Sequence, residues 1–460
     1  MKTASTTLTE GSIPKQLIAF AIPLFLGQLF QQLYNMADSL IVGNFLGDAA
    51  LAAVTSTGSL MFLLVGFFSG TAMGAGVVIS RYYGAKDYER VRTAIHTNLA
   101  FGIWCGIAMT VIGVLFTPQI LQWMGTPEDV FPNSVLYLRV FFAGSIATVM
   151  YNICRGILQA VGDSKRPLYY LIFSSIVNII LDLIFCGIFR FGVEFAALAT
   201  VVSQFLSVIL CMRRLVHTTE VYQVTLSEIR MEPQMVRQIV GIGLPSGVQN
   251  SIISIANVVV QSNINAFGTA AMAGCGSYGK IEGFGFLPIT CFSMALTTFV
   301  GQNLGAKRYD RVKKGTAFGL LCVVLLAETM GLLIYLLAPE AIALFGGDAE
   351  TIAYGVLQAR TCTLFYFLLS FSHGAAAVMR GAGRSTVPMF VMLASWCVIR
   401  ISYITLIASR FDNIQMVFWA YPITWTISSV IFMIYLLKGN WIYNFDKQEQ
   451  RRLEKELRKI

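Results

Sequence analysis

Long apolar stretches dominate the chain, and polar residues gather between them. Twelve such stretches fall at about 16–42, 48–79, 93–116, 132–154, 167–189, 193–212, 236–262, 268–300, 315–338, 351–378, 387–409 and 413–437. Roughly 20 helical residues cross the hydrocarbon of a bilayer, and each stretch reaches that length. Backbone groups in lipid must bond within their own segment. The pattern therefore predicts an all-α integral membrane protein with twelve transmembrane helices.

The polar residues left inside those stretches are few and ordered. In the first, Gln28, Gln31, Asn35 and Asp38 share one helical face at about 100° per residue. In the seventh, Asn250, Ser254, Asn257 and Gln261 form a narrow stripe spaced 4, 3 and 4. Both helices carry a proline, Pro23 and Pro245, that removes a backbone donor. The expectation is that both stripes face a central cleft and meet substrate. Hydrogen bonding between helices is the competing role.

The chain also repeats itself. Gly84-Ala-Lys-Asp-Tyr-Glu-Arg-Val91 recurs as Gly305-Ala-Lys-Arg-Tyr-Asp-Arg-Val312, shifted by 221. Gly162-Asp-Ser-Lys-Arg-Pro167 recurs as Gly383-Arg-Ser-Thr-Val-Pro388 at the same shift, and Pro23 matches Pro245 at 222. The expected organisation is a six-helix lobe over 1–214, a cytoplasmic linker over 215–235, a second lobe over 236–437 and a basic tail over 438–460. Six spans per half make the repeats parallel, a plan suited to alternating access.

Charge supports this topology. The chain of 460 residues is 56% hydrophobic and 12% charged, against about 25% charged in soluble proteins. Its net charge of +9 is distributed unevenly. With the N-terminus inside, the cytoplasmic segments together with Arg237 at a helix mouth hold 27 of the 33 Lys and Arg, and the external loops hold Arg190 and Arg410. That is the positive-inside asymmetry, with both termini cytoplasmic in a cell (inner or plasma) membrane. It removes the reason to read the charge as nucleic-acid binding. External loops such as Gly125-Thr-Pro-Glu-Asp129 lean acidic. The polar segment Met1–Ser12 and the first apolar run lack a cleavage pattern, so that run is expected to stay as a span. The nine cysteines lie mostly in apolar runs without ligand spacing and read as reduced packing residues.

Ionisable residues within spans are costly and point to function. Asp38 and Asp182 have no acid at the matching positions of the second half, which read Val260 and Tyr403. Asn178 lies one turn from Asp182, and Thr200 lies in the next span. Two carboxylates, an amide and a hydroxyl offer oxygen ligands alone, which suits a proton or a small hard cation such as sodium. Two carboxylates pressed together away from water favour sharing one proton, and a bound cation would favour the doubly ionised form. The second half holds Lys280, Glu282, Glu328, Arg360, His373 and Arg400 within spans. Glu282 and Arg400 are expected to form a structural pair, and His373 a hydrogen-bonded helix residue; Glu328 has no evident partner. No phosphate loop, His-Glu-x-x-His motif or histidine cluster is present, so no enzyme is expected.

With these residues in view, the chain resembles the multidrug and toxic compound extrusion (MATE) family, in particular its MepA- and DinF-like bacterial branch. Pro23 and Asp38, Pro245, the Gly-Ala-Lys motifs, Phe299-Val-Gly-Gln-Asn-Leu-Gly-Ala306 and Arg380-Gly-Ala-Gly383 carry the resemblance over nearly the whole chain. It implies two six-helix bundles in a V, and proton or sodium entry driving export of amphipathic, often cationic compounds. The implied cation site is Asp38, Asn178, Asp182 and Thr200, with Tyr137 nearby. Other branches place acids where this chain has Gln249-Asn250 and Phe371-Ser-His373-Gly, so the resemblance directs coupling to the first half. It implies no cofactor beyond the coupling ion, and a monomer whose partners are small molecules and the bilayer. The alternative is a flippase for lipid-linked precursors from the same superfamily, which would use cationic groups such as Lys280 and Arg400 to hold a pyrophosphate.

Overall fold

A computed structural model describes residues 7–124, 126–128, 130–411, 413–446, 450 and 454. Gly125 and Asp129 of the acidic loop, and most of the basic tail beyond 446, lie outside the described residues. So do many side chains between 48 and 71. Among the described residues helix is the only regular secondary structure, with no strand.

Twelve helical segments coincide with the twelve apolar stretches. They are α1 (Ile13–Leu46), α2 (Asp48–Gly84), α3 (Tyr88–Trp123), α4 (Phe131–Ala143 continued by Ser145–Ala160), α5 (Lys165–Ile188) and α6 (Val193–Val216). The second set is α7 (Pro233–Asn265), α8 (Thr269–Gly305), α9 (Tyr309–Ala343), α10 (Ala349–Gly381), α11 (Thr386–Leu406) and α12 (Ile414–Lys438). Ten are long and apolar enough to cross a membrane, and the bent pair of α4 makes an eleventh. The remaining one, α2, has 37 residues. The chain is a membrane protein.

The repeat is written into the backbone. Lys86 and Lys307 both take left-handed conformations, with φ of 57° and 55°. Gly47 and Gly268 do the same (87° and 103°), as do Gly162 and Gly383 (91° and 71°). Every pair is 221 residues apart. Left-handed φ is rare for a residue with a Cβ, so its return at both lysines marks the same turn built twice. The break inside α4 at Gly144, where the axis bends by 48°, also has a counterpart. At the same shift, a 3-10 turn over Thr363–Phe365 interrupts α10. Glu328 finds its partner there, accepting a hydrogen bond from the Phe367 N–H at 3.0 Å.

The helices form two compact units that cut across the leading helices. One unit is Leu26–Gly247, and the other is Leu8–Phe25 with Val248–Ile460. The chain changes unit two residues after Pro23 and again two residues after Pro245. A proline within a helix removes one hydrogen bond and clashes with the preceding turn. Each crossover therefore follows a weakened point.

In the first unit, the first stretch of α7 lies directly on α2. A Cβ at Gly70 would stand 2.4 Å from the Gly247 backbone, and one at Gly74 2.4 Å from that of Gly243. The linker is tied down at the cytoplasmic end predicted for this unit. Arg92 donates to Thr225 Oγ1 (2.9 Å) and Glu228 Oε1 (2.8 Å). The Thr225 N–H donates to His96 Nε2 at 3.0 Å, and Tyr82 donates to Gln238 Oε1 at 2.8 Å.

In the second unit, the N-terminal strand of chain is gripped in the same way. Leu8 is buried, its N–H donating to Gln302 Oε1 (2.9 Å) and its carbonyl accepting from Asn303 Nδ2 (3.0 Å). Arg311 donates to the carbonyls of Leu8, Glu10 and Gly11 and to Gln16 Oε1. All nine cysteines are unpaired.

Candidate functional site

The first unit gathers the oxygen donors singled out above. Asp38 projects from the second part of α1, Asp182 and Asn178 from α5, and Thr200 from α6. Asp182 is fully buried, Asn178 1% exposed and Asp38 8% exposed. The two carboxyl groups approach within side-chain hydrogen-bonding reach of each other. With its amide turned to suit both neighbours, Asn178 donates to Asp182 Oδ2 and accepts from the Thr200 N–H, each at 3.3 Å. The Thr200 hydroxyl donates to the Ala196 carbonyl at 3.2 Å, leaving its lone pairs free to accept. Tyr137 is buried, and its phenol sits in the electrostatic field of both carboxylates.

Local structure places these groups. α5 changes to a π turn at Leu183–Ile188, directly after Asp182. A π turn loosens the backbone ladder and often attends functional residues. One oxygen on each carboxylate, Asp38 Oδ1 and Asp182 Oδ1, is buried without a hydrogen-bond partner. Buried polar atoms are nearly always partnered. An orphaned oxygen on each of two adjoining carboxylates suits a shared proton or a small cation.

Two further residues extend this site and escaped the sequence reading. Tyr34 lies beside Gln204, and its hydroxyl also feels both Asp38 and Asp182. Gln204 Oε1 is buried without a partner. The signal was available: Tyr34 precedes Asp38 by one helical turn, and Gln204 follows Thr200 by one. Both lie on the faces already singled out. Below them, Ser207 donates to Ser174 at 2.6 Å, so α5 and α6 are joined by polar contacts over several turns.

The two polar stripes fare differently. Gln28 and Gln31 are half-buried and Asn35 exposed. In the second unit Ser254 donates to the Asn250 carbonyl (3.1 Å), and Gln261 to Asn265 Oδ1 (2.8 Å), both within α7. Asn257 instead accepts from Arg400 Nη1 at 3.3 Å.

The charged residues of the second half do not assemble as one site. Arg400 is 1% exposed and donates to Thr424 Oγ1 at 2.9 Å. Its guanidinium lies 4.7 Å from the Tyr421 ring centroid and 5.2 Å from that of Trp396. Among the described residues it makes no ion pair with Glu282. The expected direct pair is therefore replaced by cation–π contact, which holds a guanidinium away from water. Glu282 accepts from Tyr278 and Tyr366. Lys280 lies 5.3 Å from the Phe345 ring. His373 packs edge-on between Phe286 (4.9 Å) and Trp396 (5.4 Å). That is aromatic packing rather than the hydrogen-bonded role expected of it.

Fold and site together define a class: a polytopic membrane protein built from an internal repeat, with a buried carboxylate pair, among the described residues, in one repeat alone. The family profile MatE matches residues 23–184 and 245–406. The chain belongs to the MatE family. It is similar to the Bacillus subtilis protein named Probable multidrug resistance protein YoeA, with 28% identity over 97% of each chain. It is also similar to the Multidrug export protein MepA of Staphylococcus saprophyticus, with 21% identity over 83% of this chain and 85% of that one. A solved multidrug resistance MATE family transporter of the MOP superfamily, in its outward-facing conformation, superposes with a TM-score of 0.88. That match covers 95% of this chain and 97% of the other at 23% identity, a likeness of fold.

Proposed function

We propose that this protein is a multidrug efflux transporter, a cation-coupled antiporter that exports amphipathic, often cationic organic compounds by alternating access. The names of its relatives support export, and the carboxylate pair supports coupling. The single observation that carries the reading is the pair of buried, partnerless oxygens on Asp38 and Asp182. Two adjoining carboxylates cannot both stay ionised in a dry site without compensation. A proton shared between them supplies it, and so does a sodium ion held by Asp38, Asp182, Asn178 and Thr200, with Tyr137 and Gln204 adjacent. Coupling follows if the site must be refilled from one side of the membrane and emptied to the other before the protein can cycle. Substrate is read by the half-buried Gln28 and Gln31, by Asn35, and by Asn250, Ser254, Asn257 and Gln261. The setting is the cell membrane, with both termini in the cytoplasm and the bilayer as the sole obligatory partner of a monomer.

The test is ethidium efflux from proteoliposomes under separately imposed proton and sodium gradients. Wild type should export under one gradient, which names the ion. Asp38→Asn should lose at least tenfold in rate while keeping its thermal stability. Normal gradient-driven efflux by Asp38→Asn would sink the proposal. Absence of efflux of any dye by folded wild type would favour movement of lipid-linked precursors instead.

A further inference from the structure

The second unit contains a small oxygen ring that coupling at Asp38 and Asp182 does not use. Tyr278 OH lies 3.2 Å from Glu282 Oε1, Tyr366 OH lies 3.2 Å from the same oxygen, and the two hydroxyls lie 2.9 Å apart. Three oxygens thus make three contacts. Each hydroxyl carries one proton. If Glu282 is ionised, two protons serve three contacts. The short edge between the tyrosines takes one, and one edge to the carboxylate oxygen takes the other. The third contact then sets oxygen against oxygen with no hydrogen between. A proton on Glu282 completes the ring, each oxygen donating once and accepting once.

The surroundings fit a group that changes charge. Tyr278 and Tyr366 are both 1% exposed, which shields the ring from water. The charged and titratable groups facing Glu282 are Tyr278 on its own helix, Tyr366 and Cys362 on α10, Arg400 on α11 and Tyr421 on α12. Arg400 is the one cation among them, held off by Thr424, Trp396 and Tyr421 rather than in contact. It lowers the cost of an ionised Glu282 without neutralising it. The Glu282 side chain itself is partly exposed. Beside it, Cβ atoms built at Gly276, Gly279 and Gly283 would meet nothing within 4 Å. The helix next to the carboxylate is therefore bare on one side, with room for a flat ligand.

We propose that Glu282, with Tyr278 and Tyr366, forms a second proton-exchange site, which carries a proton when empty and binds an organic cation when ionised. When a cation binds, the carboxyl O–H bond breaks and its proton passes to water. One tyrosine hydroxyl then donates to the other, and that one donates to the carboxylate. When the cation leaves, one proton returns. Binding of one monovalent cation at this site thus leaves the charge of the unit unchanged.

The test uses full-length protein in detergent with tetraphenylphosphonium as the probe. Infrared difference spectra on adding the probe should show loss of a protonated-carboxyl carbonyl band, and a pH indicator should record proton release. In Glu282→Gln the band change should vanish and proton release should fall by one per bound cation, with weaker binding. Tyr366→Phe keeps the carboxyl but opens the ring, and should move the pH midpoint of release without abolishing it. Asp38→Asn should keep the Glu282 signal, so failure of coupling at the first unit is distinguishable from failure here. Wild-type spectra and proton counts retained in folded Glu282→Gln would overturn the proposal. So would binding to wild type with no proton released.

Discussion

The crossing of α2 with the first stretch of α7 offers a sharp test of packing. Gly74→Ala adds one methyl carbon at 2.4 Å from Gly243 Cα and N and 2.7 Å from the Ile239 carbonyl oxygen. Ordinary contact needs about 3.5 Å, and every atom in the way is backbone, so no rotamer change relieves it. The helices must part by roughly 1 Å. A gap of that size forfeits about a quarter to a half of each dispersion contact of about 0.1–0.2 kcal/mol. Over roughly 50 such contacts, that loss is about 1–5 kcal/mol, with a midpoint of about 3 kcal/mol. Replacing a helical glycine returns about 1 kcal/mol through backbone entropy. From that midpoint the net cost is about 2 kcal/mol, within the usual range for overpacking. Thermal unfolding in detergent should show a lower midpoint for Gly74→Ala. Gly70→Ala, one turn away with the same 2.4 Å approach to Gly247, should behave alike. The double variant should cost less than the sum, because the first methyl already parts the helices. An unchanged or raised midpoint for Gly74→Ala would refute the reasoning, since it would mean that the two backbones do not meet there.

Other outcomes follow from the ends of the helices. Arg311→Ala should free residues 8–11, because it removes donors to three carbonyls and Gln16. Leu8 keeps Gln302 and Asn303, and the exposed carbonyls regain water. A charge-assisted bond of about 1.5–3 kcal/mol, discounted for exposure, then predicts roughly 10-fold faster amide exchange in that segment. Exchange measured by mass spectrometry checks it, and unaltered protection would count against the clamp. At the start of α10, the Asp348 carboxylate is held below its ordinary range by hydrogen bonds from the Thr351 side chain and N–H. A depressed carboxylate stabilises above its unfolded range and loses that contribution as pH falls through the lowered value. Protection of the Thr351 amide should therefore fall in acid. In Asp348→Asn, which keeps a capping oxygen, that pH dependence should disappear.

Tertiary contact also exposes the limits of reading helices one at a time. Asp38 and Asp182 stood out because a carboxylate in an apolar stretch is expensive wherever the stretch goes. Tyr34 and Gln204 did not, because tyrosine and glutamine in a helix are cheap enough to need no explanation. Their role appears when α1 and α6 meet. Arg400 and Glu282 shared the cost argument but not the partner. Opposite charges at similar depth suggested a pair, whereas the aromatic faces of Trp396 and Tyr421 and the hydroxyls of Tyr278 and Tyr366 divided them.

By itself the sequence determined the twelve helices, the repeat at 221 residues and the oxygen-only character of the candidate site. All of these depend on local composition and spacing, because a bilayer forces each spanning segment to satisfy its own backbone. Only the tertiary structure decided where each leading helix leaves one compact unit for the other. It alone brought Tyr34 to Gln204, placed Glu328 at the break in α10 and closed the ring around Glu282. Those contacts join residues far apart in the chain. They depend on which faces of separate helices touch, and that is set by small residues at crossings such as Gly74 and Gly243, not by the hydrophobic pattern of either helix.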